Sequence, residues 1–129
     1  MKLALLAATA AALLATPALA ANTYQDTCSN IGFAYSGNDA SITAVCLKAD
    51  GTPNATKLIL KGISNQNGKL TQGSGASTFQ KSCGNIQIIV GNSPNTTLSA
   101  LCRTSGGSSI ATSLSLNGIG NNNGTLVQQ

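Results

Sequence analysis

The sequence predicts an all-β protein made of two tandem copies of one small unit, and three observations carry this. "KGISNQNGKL" (61–70) returns as "NGIGNNNGTL" (117–126), identical at six of ten positions and displaced by 56 residues. Beyond residue 20 the apolar side chains alternate with period two, and no stretch keeps the period of an amphipathic helix. Turn formers separate the alternating runs: "SGND" (36–39), "ADGTPN" (49–54), "SNQNG" (64–68) and "TSGGSS" (104–109).

The first twenty residues, "MKLALLAATAAALLATPALA", stand apart. One cation (Lys2), an apolar run from Leu3 to Leu14, Pro17 and a small-residue end at Ala20 form a secretory signal peptide, cleaved after Ala20. The run is short for a bilayer span, and nothing later is apolar enough to make one. The protein is therefore expected outside the cell, with residues 21–129 as one domain.

Within that domain the repeat extends well beyond its closing stretch. "TYQDTCSNI" (23–31) aligns with "STFQKSCGNI" (77–86), "SITAVC" (41–46) with "TLSALC" (97–102), and "KLILKGI" (57–63) with "SLSLNGI" (113–119). The offset changes from 55 to 56 between the cysteines, which puts one inserted residue near "GNSPN" (91–95). The unit is about fifty residues long. Ile42, Ala44 and Cys46 alternate with Thr43, Val45 and Leu47; Leu114 and Leu116 alternate with Ser115 and Asn117; both patterns read as strands. Asn67-Gly68 and Asn123-Gly124 between apolar runs predict tight hairpin turns, because this dipeptide accepts positive φ at both positions. "TQGSGAS" (71–77) has the composition of a flexible linker. We accordingly set repeat one at 21–72, the linker at 73–76 and repeat two at 77–129. A linker there permits a monomer, or a dimer in which two chains exchange halves.

Four cysteines in an oxidising compartment predict two disulfides, and four allow three pairings. Equivalent units should bond equivalently, so Cys28 pairs with Cys46 and Cys83 with Cys102. Each closes a loop of about twenty residues, worth roughly 3 kcal/mol through lost chain entropy. This support matters in a domain with no Trp and only Tyr24, Phe33, Tyr35 and Phe79 as aromatics.

The remaining composition excludes several functions. Without the leader, six scattered cations face three Asp, a net charge of +3 with no basic block for nucleic acid or an anionic membrane. There is no His and no Glu, so the usual general bases and imidazole ligands are missing. No metal, cofactor or catalysis is expected. Three N-glycosylation sequons occur, at Asn54, Asn95 and Asn123; in a eukaryotic secretory route the first two, in apparent loops, would tolerate a glycan.

The duplicated pattern resembles the cyanovirin-N homology family over nearly all of residues 21–129. It comprises an aromatic and a polar residue before a Cys, "C-x-N-I", a strand ending in Cys, an "L-x-L" strand, and "I-x-N-x-N-G-x-L". The resemblance implies two pseudo-symmetric halves, each a three-stranded sheet plus a β-hairpin, with strands exchanged between repeats and one disulfide in each. It further implies a lectin for mannose-containing glycans with a sugar site at each end. Carried over, one site gathers Asn65, Asn67, Ser77, Thr78, Lys81, Ser82, Arg103 and Thr104. The other gathers Thr23, Asp26, Thr27, Lys48, Asn121 and Asn123. Leu47 and Ala49 stand where the family commonly has polar residues, so the second site is expected to be weaker or silent. Asn, Ser and Thr suit this chemistry because each both donates and accepts, as sugar hydroxyls do. The competing expectation is a secreted scaffold that keeps the fold and binds a protein or cell-wall surface.

Overall fold

The computed structural model describes residues 22–129; the leader read at 1–20 lies outside them. Strands β1 (Cys28–Tyr35), β2 (Ala40–Leu47) and β3 (Pro53–Ile59) form one three-stranded antiparallel sheet. Strands β6 (Cys83–Val90), β7 (Thr96–Arg103) and β8 (Ser109–Ser115) form its counterpart. A short 3-10 turn precedes each sheet, at Tyr24–Asp26 and Phe79–Lys81. Two hairpins follow the sheets: β4 (Lys61–Gln66) with β5 (Lys69–Ala76), and β9 (Ile119–Asn122) with β10 (Thr125–Gln128).

Neither hairpin packs on its own repeat's sheet. Strand β5 lies against β8 of repeat two, where the Leu70 amide donates to Thr112 Oγ1 at 3.1 Å. Strand β10 lies against β3 of repeat one, where the Leu126 amide donates to Thr56 Oγ1 at 3.1 Å. Each half is therefore a sheet from one repeat closed by a hairpin from the other, as the family resemblance implied. A two-stranded ribbon is marginal alone in water, so each hairpin depends on the apolar face that the other repeat provides.

The core repeats as faithfully as the sequence does. Its buried side chains fall into pairs, one from each repeat: Tyr24 and Phe79, Ile42 and Leu98, Leu60 and Leu116, Ile63 and Ile119, Leu70 and Leu126. Each large aliphatic among them contributes about 1.5–3 kcal/mol on leaving water. Cys28 faces Cys46 and Cys83 faces Cys102 across the first two strands of each sheet, in the expected pairing.

The turns follow from local chemistry. Asn67 and Gly68 have φ of 52° and 90°, Asn123 and Gly124 49° and 88°, the two positive values that the hairpin prediction required. Asn30 and Asn85, in the two "C-x-N-I" motifs, also have positive φ and sit where the ladder of β1 or β6 slips by one residue. The inserted residue is in the loop from Gly91 to Asn95, one residue longer than the Ser36–Asp39 loop.

The segment read as a flexible linker is different in the structure. Residues 73–76 finish strand β5, and Ala76 pairs with Lys61. The register shifts between Lys61 and Ile63, and at this point a Cβ on Gly62 (φ +74°) would fall 2.0 Å from the Gly73 carbonyl oxygen. The glycines allow close backbone approach rather than slack.

One pair breaks the symmetry of the core. Tyr24 donates to, or accepts from, Thr96 Oγ1 at 2.9 Å in the interior. The equivalent pair is Phe79 and Ala40, both apolar and fully buried. Tyr24→Phe alone should cost about 1–3 kcal/mol in denaturant unfolding, because it leaves the buried Thr96 hydroxyl unpaired. The double change Tyr24→Phe/Thr96→Ala copies the other half and should recover much of that loss. Burial raises the Tyr24 phenol above its ordinary pKa of 10.0, with the Thr96 bond pulling partly the other way. The folded state thus holds the proton longer than the unfolded chain. The stability linked to Tyr24 is complete below pH about 10 and falls as pH rises beyond it, a fall that Tyr24→Phe should lack.

Candidate functional site

In each hairpin turn two asparagines, spaced two residues apart, fasten it to the other repeat. Asn65 Oδ1 accepts the Gly68 amide at 2.7 Å, which closes the turn. Its Nδ2 donates to Ser82 Oγ and to the Arg103 carbonyl oxygen, both at 2.9 Å. Asn121 does the same at the other end: Oδ1 accepts the Gly124 amide at 2.7 Å, and Nδ2 donates to Thr27 Oγ1 and the Leu47 carbonyl, both at 2.8 Å. Two residues on, Asn67 Oδ1 accepts the Ser105 amide at 2.8 Å and its hydroxyl at 3.0 Å, while Asn123 Oδ1 accepts the Ala49 amide at 2.8 Å. The four asparagines bring together the loop after the second cysteine and the residue before the first.

At the end closed by Asn65, an open cleft of about 310 Å3 is lined by Lys81, Ser82, Gly84, Asn85, Leu101, Arg103 and Ser109, together with Cys83. Lys81, Ser82 and Arg103 were expected there. Thr104 is half-buried beside the turn; its Cγ2, with Ile110 Cδ1, lies so close to Gly68 that a Cβ there would meet them at 2.9 and 2.7 Å. Thr78 is exposed at the start of the 3-10 turn, its amide bonded to the Ile63 carbonyl at 2.9 Å. Ser77 is only 3% exposed: its hydroxyl donates to the Leu60 carbonyl at 2.8 Å and accepts the Ile63 amide at 3.1 Å. It anchors the hairpin from within, as does its buried counterpart Asn22, whose Oδ1 accepts the Ile119 amide at 2.9 Å. Asn65 likewise frames the site, with its amide committed to protein partners.

Asn85, Leu101, Ser105 and Ser109 were not anticipated. Asn85 belongs to the "C-x-N-I" motif, and Ser105 occupies the position of Ala49, so repeat alignment held the signal for both. Leu101 read only as a strand residue, yet it is exposed beside the cleft.

The opposite end is framed alike but lined differently. Lys48 Cγ and Asn54 Cβ stand over Gly124 where Thr104 and Ile110 stand over Gly68. Asp26 takes the place of Lys81, Leu47 that of Arg103 and Ala49 that of Ser105. Thr23 and Asp26 are exposed on the first 3-10 turn, with the Thr23 amide bonded to the Ile119 carbonyl at 2.9 Å. Nearby, Asp50 Oδ1 accepts the Thr52 hydroxyl at 2.6 Å and its amide at 3.0 Å, bonds that hold this carboxyl below its ordinary range. A larger, shallow depression of about 450 Å3 on the first sheet, lined by residues such as Thr43, Val45, Ala55 and Lys57, includes none of the expected site residues. Of the sequons, Asn95 and Asn123 are exposed. Asn54 is not in a loop: it is the second residue of β3, and its Nδ2 donates to the Gly124 carbonyl at 2.8 Å. The turn-forming run before it ends at Pro53, so its side chain is already part of the cross-repeat contact.

The CVNH domain family model matches residues 24–127 of this chain. No match is found among curated proteins. TbCVNH of T. borchii is similar at 31% identity and a TM-score of 0.64, over 83% of this chain and 99% of its own. Microvirin, solved as a mannobiose complex, is similar at 28% identity and a TM-score of 0.64, over 84% of this chain and 99% of its own. A MoCVNH3 variant, solved in complex with (N-GlcNAc)4, has a TM-score of 0.65 over 87% of this chain and 100% of its own; at 19% identity the likeness speaks to the fold alone.

If the asparagine amides hold the hairpins, Asn65→Ala and Asn121→Ala should each lower stability by about 1–3 kcal/mol, since each strands backbone groups at both ends of the clasp. The two losses should be similar, read as shifts in the urea midpoint at unchanged slope. Losses of a few tenths would show that packing alone holds the turns.

Proposed function

Because this chain belongs to the CVNH domain family, we propose that it is a secreted, non-catalytic lectin for mannose-containing glycans that works chiefly through the end closed by Asn65. The observation that carries this reading is the cleft of about 310 Å3 where Lys81, Ser82 and Arg103 converge. Ser82 Oγ accepts from Asn65 and still has its own hydrogen to donate, the dual character that a sugar hydroxyl matches. Leu101 adds an apolar patch, 41% exposed, for the C–H face of a ring. Microvirin, the relative solved with mannobiose, supports the sugar class. The leader at 1–20 supports secretion. A chain with neither His nor Glu supports binding rather than catalysis.

The other end keeps the same framework but offers fewer groups. With Asp26, Leu47 and Ala49 in place of Lys81, Arg103 and Ser105, it loses two donors that the clasp does not use and gains a carboxylate. We assign it the lower affinity. The buried aromatics Tyr24 and Phe79 serve the core, so hydrogen bonds dominate each site and affinity for a single glycan is modest. Multivalent glycans would recover strength through avidity.

Titration of the oxidised, isotope-labelled chain with mannobiose should shift the amide signals of Lys81, Ser82 and Arg103–Ser105 before those of Thr27 and Lys48. Arg103→Ala should weaken binding roughly tenfold, the loss of one charge-assisted hydrogen bond. Unmoved signals with mannose-terminated glycans in general, from a folded sample, would refute the sugar class.

A further inference from the structure

Hairpin exchange redistributes charge. Taken as sequence repeats, residues 21–72 hold four Lys against three Asp, and residues 77–129 hold Lys81 and Arg103 alone, so the repeats carry +1 and +2. In the fold, β4–β5 takes Lys61 and Lys69 to the half built on β6–β8. That half then has Lys61, Lys69, Lys81 and Arg103 with no carboxylate, a side-chain charge of +4. The other half keeps Lys48 and Lys57 with Asp26, Asp39 and Asp50, a charge of −1. The fold thus turns two similar repeats into halves of opposite sign.

The positive half contains the fuller cleft, and two of its four cations line it. Lys81 and Arg103 are exposed at that cleft beside Ser82, Asn85 and Ser109. A neutral sugar settling there would displace water from both cations and return acceptor oxygens but no charge to balance them. An anionic group would meet the ammonium and the planar guanidinium fork, whose paired N–H groups suit a phosphate or carboxylate. Lys61 and Lys69 add a field of the same sign that salt screens over about 8–10 Å. At the opposite end Asp26 and Leu47 occupy the equivalent positions, so the preference would belong to one end only.

We propose, resting on the lectin reading above, that the cleft of Lys81 and Arg103 takes glycans bearing an anionic substituent, a phosphate, a sulfate or a uronate carboxylate, in preference to their neutral forms. The test is calorimetric titration of the oxidised chain with three probes: mannobiose, mannobiose 6-phosphate and mannobiose capped with glucuronate. The expected result is roughly tenfold or tighter binding of an anionic probe over mannobiose in dilute buffer, a gain largely lost at about 0.5 M salt. The phosphate and carboxylate arms distinguish the source of the charge. Lys81→Gln and Arg103→Gln should each remove most of the gain, Arg103→Lys should keep part of it, and Lys61→Gln, outside the cleft, should change it little. The Arg103 side chain can be replaced without losing the Asn65 clasp, which uses the residue's backbone carbonyl. Equal affinity for neutral and anionic probes overturns the charge preference and leaves the lectin reading intact. An anionic preference that survives both Gln variants overturns the assignment to this cleft. No binding of any probe by a folded sample overturns both readings.

Discussion

The amide of Asn65 or Asn121 has one oxygen and two hydrogens, and each of the three makes a bond within the protein. One bond closes a tight turn within a repeat, and two reach the backbone and side chain of the other repeat. Much of the molecule depends on this arrangement. The apolar face of each hairpin has no sheet of its own to cover, so Leu70 and Leu126 are buried only through the opposite repeat. Few aromatics are available for the core, which raises the importance of the two cross-links and of the polar clasps from Ser77 and Asn22.

The same bonds decide what is available for a ligand. A clasp that draws the loop after the second cysteine toward the residue before the first gathers polar groups from three separate stretches. Only groups not consumed by the clasp can then meet a sugar. At one end these include Lys81, the Ser82 hydroxyl, the Arg103 side chain, the Asn67 Nδ2 group and the Thr104 hydroxyl; at the other, Asp26 and Leu47 stand in two of the same places. Duplication has conserved the framework within this chain while the groups that face solvent have diverged. The charge partition follows from the same topology, since it is the exchanged β4–β5 hairpin that carries Lys61 and Lys69 into the positive half.

Periodicity and repetition made most of the fold legible. Strand alternation, the two Asn-Gly turns, the disulfide pairing and the position of the inserted residue all depend on local chemistry or on comparing one repeat with the other. What escaped depends on direction and distance. A serine at position 77 has the same residue type whether its hydroxyl meets a ligand or a buried Leu60 carbonyl. A glycine-rich stretch at 73–76 has the same composition whether it is slack or pressed against Gly62. Asn54 follows a run of turn formers, and only the ladder with β2 shows that the strand has already begun. The site was legible as a set of regions but not as a set of free groups: the "N-x-N-G" pattern marks a turn without showing that the amide of its first Asn is engaged by the other repeat.

Interleaving of the repeats is the central claim, and cutting the chain tests it most directly. A single protease site placed at Gly73–Gly75, in the exposed end of β5, would separate repeat one from repeat two without removing any residue of the clasps. After cleavage of the oxidised protein, the fragments should elute together as one folded species and part only in denaturant, because each carries the hairpin that completes the other. Two fragments that separate under native conditions as independently folded units would contradict the account.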